Sequence, residues 1–217
     1  MRLLIFMLLL LTACGGGAPA ISFYGDSLTS GSIEGGWLDP RPVQRMTELS
    51  GGAFVGVDHA HPGMTVWDAV EGTADALPWE TAMQRDTAQF VVIRYAGSAL
   101  ARPGQLRDYE QVLETMIRTA RRHRKTVVLL GAPWMAAPDD RYGISPADST
   151  RIMASVDEFE AATQALALRM GVVFIEVRKV PFYGKSDVAD IIHPNQGYSD
   201  RMSAFIVERL IFCLALR

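Results

Sequence analysis

Five short apolar runs with helix-like stretches between them restrict the fold of this chain more than any other feature. Ala20–Tyr24, Ala53–Val57, Phe90–Tyr95, Thr126–Leu130 and Val172–Val177 are rich in Val, Ile, Phe or Tyr. They are nearly continuous rather than alternating, as in parallel strands covered on both faces. Between them, Leu106, Tyr109, Leu113, Met116, Ile117 and Ala120 recur at helical spacing, as do Ile152, Val156, Phe159, Thr163, Leu166 and Met170. Both stripes read as core faces. Val43–Leu49 and Thr65–Leu77 are further helix candidates, and a last helix starts near Asn195, a good capping residue, and carries Tyr198, Met202, Phe205, Ile206, Leu210 and Leu214. Strand, crossover helix, strand at this rhythm predicts the α/β class and a right-handed three-layer α/β/α sandwich.

The 217 residues suffice for one domain with a sizeable core, and 49% hydrophobic content excludes a disordered or collagen-like chain. The 21 basic and 24 acidic side chains are interspersed, so no basic face for a polyanion stands out and nucleic acid is not expected as a partner. Cys14 and Cys213 are the two cysteines, which excludes a disulfide scaffold; Cys213 reads as a small apolar residue of the last helix.

The N-terminus reads as a targeting segment. Arg2 is followed by an unbroken apolar run from Leu3 to Leu11, about half the length a spanning helix needs. Leu11, Thr12, Ala13 and Cys14 resemble a bacterial lipobox, which implies cleavage before Cys14 and diacylation of its thiol. Residues 1–13 are thus expected to be a lipoprotein signal peptide, residues 14–19 a short tether and residues 20–217 a single domain. Two acyl chains anchor a protein stably where one is marginal. The expected location is the bacterial cell envelope, held to the membrane by the N-terminal lipid and facing the periplasm; the alternative is a secreted chain.

Chemistry in such a fold belongs where parallel strands end. Gly25, Asp26, Ser27, Leu28 and Thr29 follow the first run. A serine on such a turn can present its hydroxyl while its amide faces a developing oxyanion, yet the same residues also suit a plain turn or helix cap. The second glycine of the Gly-x-Ser-x-Gly elbow is missing. Asp190, Ile191, Ile192, His193 and Pro194 precede the last helix, and this spacing of three can bring an acid to one imidazole nitrogen while the other faces a nucleophile. A structural histidine fits the spacing too.

Together, Gly25-Asp26-Ser27-Leu28 and Asp190-x-x-His193, with Phe23-Tyr24 before the serine and His193-Pro194 before Asn195, resemble the GDSL or SGNH hydrolase family over residues 20 to 217. The resemblance implies a five-stranded parallel sheet between helices and ester hydrolysis, with Ser27, His193 and Asp190 as the catalytic set. It also implies an oxyanion hole lined by a glycine and an asparagine. The glycine block matches His61, Pro62, Gly63, Met64 and Thr65, making the Gly63 N–H the second donor beside that of Ser27. The asparagine block departs: the family's Gly-x-Asn-Asp is here Ala96, Gly97, Ser98 and Ala99, leaving Ser98 as a candidate donor at the asparagine position. Losing one oxyanion donor costs roughly 10² to 10³ in turnover.

The expected activity is cleavage of short acyl or acetyl esters of small molecules, lipids or envelope glycans through an acyl-enzyme, weakened by the missing asparagine. The alternative is a lipoprotein that binds ester or glycan ligands without useful turnover. Trp134, after the fourth run, is a candidate substrate-binding residue, whereas Arg94 and Arg102 read first as structural. His59 and His61 lack a clustered acid or cysteine, so no metal is expected, and the mechanism needs no cofactor.

Overall fold

The structure, a computed structural model, describes residues 17–73, 75–102, 104–135, 145–190 and 192–215. Five parallel strands form the central sheet: β1 (Ala20–Gly25), β4 (Val55–Asp58), β5 (Phe90–Arg94), β6 (Thr126–Leu130) and β7 (Val173–Ile175), in the order β4-β1-β5-β6-β7. A small antiparallel hairpin, β2 (Ser32–Ile33) with β3 (Gly36–Trp37), projects after the first strand. The helices are α1 (Ser27–Ser30), α2 (Pro42–Leu49), α3 (Val66–Glu71), α4 (Trp79–Arg85), α5 (Ser98–Ala101), α6 (Leu106–Arg122), α7 (Pro146–Met170) and α8 (Gln196–Ala215).

Alternation along the strands divides the core into two layers. Ile21, Phe23, Val92 and Val128 pack against Val43 and Met46 of α2 and Met202 and Ile206 of α8. Tyr24, Val91, Ile93 and Leu129 face the other way, against Met83 of α4, Leu113 and Ile117 of α6, and Phe159 and Leu166 of α7. The sheet is therefore sandwiched between helices, with α2 and α8 on one side. At the outer strands the cover thins: Val55, Val57 and Val173 are exposed, so near-continuous apolar character there does not mean burial on both faces.

Two expected boundaries move. The helix expected over Thr65–Leu77 begins with a Thr65–Asp68 capping box but stops at Glu71, because Gly72 turns away at φ 83°. A separate short helix, α4, follows Pro78. The helix carrying Ile152 begins at Pro146, six residues earlier, where Ser145 accepts the Asp148 amide at 3.1 Å and proline at the first position suits a helix start. Residues 136–144, which precede this helix, lie outside the described residues.

The expected signal segment and Cys14 also lie outside them. Residues 17–19 are exposed, and the Pro19 carbonyl accepts the Val55 amide at 3.0 Å, so the chain joins the sheet one residue before β1. Among the described residues no helix is long and apolar enough to cross a membrane. Cys213 lies half-buried on α8.

Candidate active site

All five strands point the same way, so Gly25, Asp58, Arg94, Leu130 and Ile175 end at one end of the sheet. The turn after β1 is held from three sides. Gly25 has to be glycine: a Cβ there would sit 2.3 Å from the Arg94 carbonyl oxygen and 2.3 Å from Thr29 Oγ1. Asp26 caps α1 by accepting the Leu28 amide at 3.0 Å, and Gly31 closes the short helix in the left-handed conformation, φ 79°. From beneath, the buried Arg94 guanidinium donates to Thr29 Oγ1 at 3.0 Å and to the Leu28 carbonyl. Ser27, first in the helix, is the partly exposed residue of the turn.

The histidine loop arrives between β7 and α8. Val188 bridges Pro194, the Ala189 amide donates to the His193 carbonyl at 2.8 Å, and Asn195 Oδ1 accepts the Tyr198 amide at 2.9 Å as the α8 cap. Asp190 folds back on this turn. Its Oδ1 accepts the amides of Ile192 at 3.0 Å and His193 at 2.9 Å, while Oδ2 accepts the Glu34 amide from the β2–β3 hairpin at 3.0 Å. Burial works against the Asp190 charge, but these three amides together with the His193 ring outweigh it and hold its pKa below the ordinary carboxylate range.

Ser27 and His193, 166 residues apart, meet at this end of the sheet. His193 Nε2 lies 2.8 Å from Ser27 Oγ, and Nδ1 lies 2.7 Å from Asp190 Oδ2 and 2.9 Å from Oδ1. With Nδ1–H donating to the carboxylate, Nε2 is left to accept the serine proton. The three side chains form one continuous hydrogen-bonded line.

The other loops are stitched to the serine turn. The His61 amide donates to the Gly25 carbonyl at 2.9 Å, which brings the Gly63 loop beside the end of β1. Gly63 adopts φ 75°, and a Cβ there would meet open space. Among the described residues, neither the Ser27 nor the Gly63 N–H has a hydrogen-bond partner. The third loop is joined through Asp26, whose Oδ2 accepts the Gly97 amide at 2.6 Å. Burial pushes the Asp26 carboxyl upward, against the pull of that amide and of the nearby Arg94. Ser98 is fully buried, and its Oγ accepts the Val66 amide at 3.1 Å, so one side of the hydroxyl is committed to joining the third loop to α3.

The tryptophans and arginines around the site have structural partners. Trp134 follows β6, two strands from β1; its Nε1 donates to the Arg178 carbonyl at 2.8 Å, and the Arg178 guanidinium lies 4.8 Å from its ring centroid. Trp79 is core, donating to the Met116 carbonyl at 2.9 Å. Arg102 covers Trp67 at 4.6 Å, and Arg94 is the buried support already described. Among the described residues no group of three or more His, Cys, Asp or Glu side chains gathers as a metal set.

Sequence reasoning missed two groups. One is the Glu34 amide on Asp190, a backbone donor without a residue-type signature. The other is a cavity of about 250 Å³ lined by Tyr24, His61, Met64, Trp79 and Tyr95; His61 and Met64 flank Gly63, and Tyr95 precedes the third loop.

The GDSL-like lipase/acylhydrolase sequence profile matches residues 23–198, which spans the serine turn and the histidine loop. The chain belongs to that family. Ester hydrolysis in general is the activity that membership supports. Solved structures share the fold. The carbohydrate acetylesterase Est24 from Sinorhizobium meliloti superposes with a TM-score of 0.70 at 16% identity, covering 90% of this chain and 99% of that one. The lipase/acylhydrolase from Enterococcus faecalis gives 0.68 at 19%, covering 90% and 96%, and the aryl esterase from M. smegmatis gives 0.67 at 18%, covering 89% and 98%. No curated protein is significantly similar in sequence.

Proposed function

We propose that this family member is a serine ester hydrolase working through an acyl-enzyme on short acyl or acetyl esters. The observation that carries the reading is the unbroken Ser27–His193–Asp190 line beside two unpartnered backbone amides. Ser27 Oγ attacks the ester carbonyl carbon as its proton passes to His193 Nε2; Asp190 keeps the ring oriented and stabilises the imidazolium. The Ser27 and Gly63 amides take the oxyanion charge. The intermediate collapses by breaking the bond to the alkoxy oxygen, and His193 Nε2 returns the proton to the departing alcohol. Water, deprotonated by the same nitrogen, then attacks the acyl carbon, and release of the carboxylic acid restores the Ser27 hydroxyl.

His61 and Met64, on either side of Gly63 in the chain, also line the cavity of about 250 Å³, which makes it the proposed place for a small acyl or alcohol group. Ser98 is a supplementary oxyanion donor at most, since one side of its hydroxyl is held by Val66. Trp134 is left out of this reading, because its Nε1 and one ring face are taken up by Arg178. The neighbour named as a carbohydrate acetylesterase supports a compact acyl group, and an O-acetylated glycan in the cell envelope is a substrate of this kind.

In the same reading Cys14 carries the lipid that holds the enzyme to the envelope membrane. A ligand-binding lipoprotein without turnover is the competing account, favoured by Ser98 in place of asparagine. Short chromogenic esters separate the two: hydrolysis by the native chain, lost in both Ser27→Ala and His193→Ala, supports the enzyme, and equal background in all three supports binding.

A further inference from the structure

We infer that the end of the sheet opposite the candidate active site is a docking face for anionic phospholipid headgroups, which turns Ser27 away from the bilayer. The inference rests on the reading of Cys14 as a lipid anchor, and its consequence for substrate rests on the reading of Ser27 as nucleophile.

The tether enters at that opposite end. Pro19 is already bonded to Val55, so Cys14 can lie no more than about 18 Å from the sheet even with the intervening chain extended. β1 then runs six residues away from this point before Ser27, a distance of about 20 Å.

Beside the point of entry lies a basic cluster whose block character the overall charge balance hides. The end of α6 and the turn from it to β6 carry Arg121, Arg122, His123, Arg124 and Lys125. Glu80 pairs with Arg122 at 2.5 Å and with His123 at 2.7 Å. Among the described residues, Arg121, Arg124 and Lys125 have no carboxylate partner. Arg121 donates to the Gly171 carbonyl at 3.0 Å and Lys125 to the Ala88 carbonyl at 2.7 Å, so both are held in place with their charge uncompensated. Arg124 is exposed on a left-handed residue, φ 60°. The three border a depression of about 240 Å³ that no acid lines.

Register ties the cluster to the tether. Ile21 pairs with Phe90 and Phe90 with Thr126, so the start of β6 stands two strand spacings, about 10 Å, from the start of β1. A lipid on Cys14 and cations on the α6–β6 turn can therefore meet one surface together. Each basic side chain near an anionic surface strengthens partitioning about fivefold. In this orientation lipids of the anchoring membrane are out of reach of Ser27, and the substrate class narrows to soluble or glycan-borne esters.

The test uses the full lipidated chain, with its N-terminal mass recorded, in vesicles of phosphatidylcholine alone or mixed with phosphatidylglycerol. The expected result is slowed amide exchange over residues 121–127 and 170–173 in the mixed vesicles only, while residues 61–66 and 95–98 exchange equally in both. Arg121→Gln with Arg124→Asn, the second suited to a left-handed backbone, should weaken the engagement roughly 25-fold at about fivefold each, with turnover of a water-soluble ester unchanged. Equal exchange in both vesicle types overturns the proposal, as does protection of residues 61–66 instead. Equal protection of the basic turn by a short DNA duplex overturns the choice of a lipid surface. The underlying readings fail separately: a Cys14 without acyl chains removes the anchor and the proposal with it, whereas protection of the turn in a chain without ester turnover supports the orientation and overturns only the hydrolase.

Discussion

The Gly97 amide donates to the Asp26 carboxylate at 2.6 Å, so the residue before Ser27 also fixes the loop that carries Ser98. The same carboxylate accepts the Leu28 amide with its other oxygen. Asp26→Asn keeps the size but turns one acceptor into a donor facing an N–H. The expected result is a loss of about 1–3 kcal/mol in unfolding free energy by denaturant titration, together with a lower kcat on a short ester.

Ser98→Asn tests the altered third block. An asparagine carbonyl can keep the Val66 amide bond while its NH2 reaches further than the Ser98 hydroxyl toward the proposed oxyanion position. If the rest of the hole is preserved, kcat should rise about tenfold or more, within the range one such donor is worth. Ser98→Ala should instead lower stability by about 1–3 kcal/mol, because it leaves the Val66 N–H unpaired in a buried place. Steady-state kinetics and thermal melts on the two variants read these effects.

Gly25 and Gly63 make opposite demands. A Cβ on Gly25 collides with the Arg94 carbonyl, so Gly25→Ala should unfold the turn and fail first in a stability assay. A Cβ on Gly63 meets open space but sits on a left-handed residue, so Gly63→Ala should cost about 1–2 kcal/mol. Its larger effect should fall on kcat, since the chain must shift the proposed oxyanion amide.

The depressed pKa of Asp190 gives the stability profile a sign. Its hydrogen bonds to Glu34, Ile192 and His193 favour the ionised form, so their contribution is full above the unfolded carboxylate value near 4 and fades as pH falls through the lower folded value. Melting temperatures of Asp190→Asn should lack that part of the acid decline. A variant with an unchanged acid limb would contradict the assignment. Above pH 5 Asp190 remains charged, and loss of activity there on acidification has to arise from another group.

The strands were legible because β-branched and aromatic residues run almost without interruption, as in Phe90–Arg94. Long helices such as α6 showed their buried stripe in the spacing of Leu113, Met116, Ile117 and Ala120. Helix α4 left little trace, with only Trp79 and Met83 buried in seven residues. At the candidate site, Ser27, Asp190 and His193 could be named because their two motifs together resemble a known family; taken singly, the same residues also suited a plain turn and a structural histidine. The Glu34 amide could not, since any residue supplies an N–H and this one reaches Asp190 across 156 positions. The committed hydroxyl of Ser98 was equally hidden, because its partner is the backbone of Val66. Arg94 could be read as structural, but not as the brace beneath the serine turn.

A fluorophosphonate that reacts only with an activated serine tests the central claim most directly. Intact-protein mass followed by peptide mapping should show one adduct, on Ser27, formed rapidly in the native chain and at a rate lower by roughly 10³ or more in His193→Ala. Absence of an adduct, an adduct on another serine, or equal labelling of Ser27 with and without the imidazole would contradict the account.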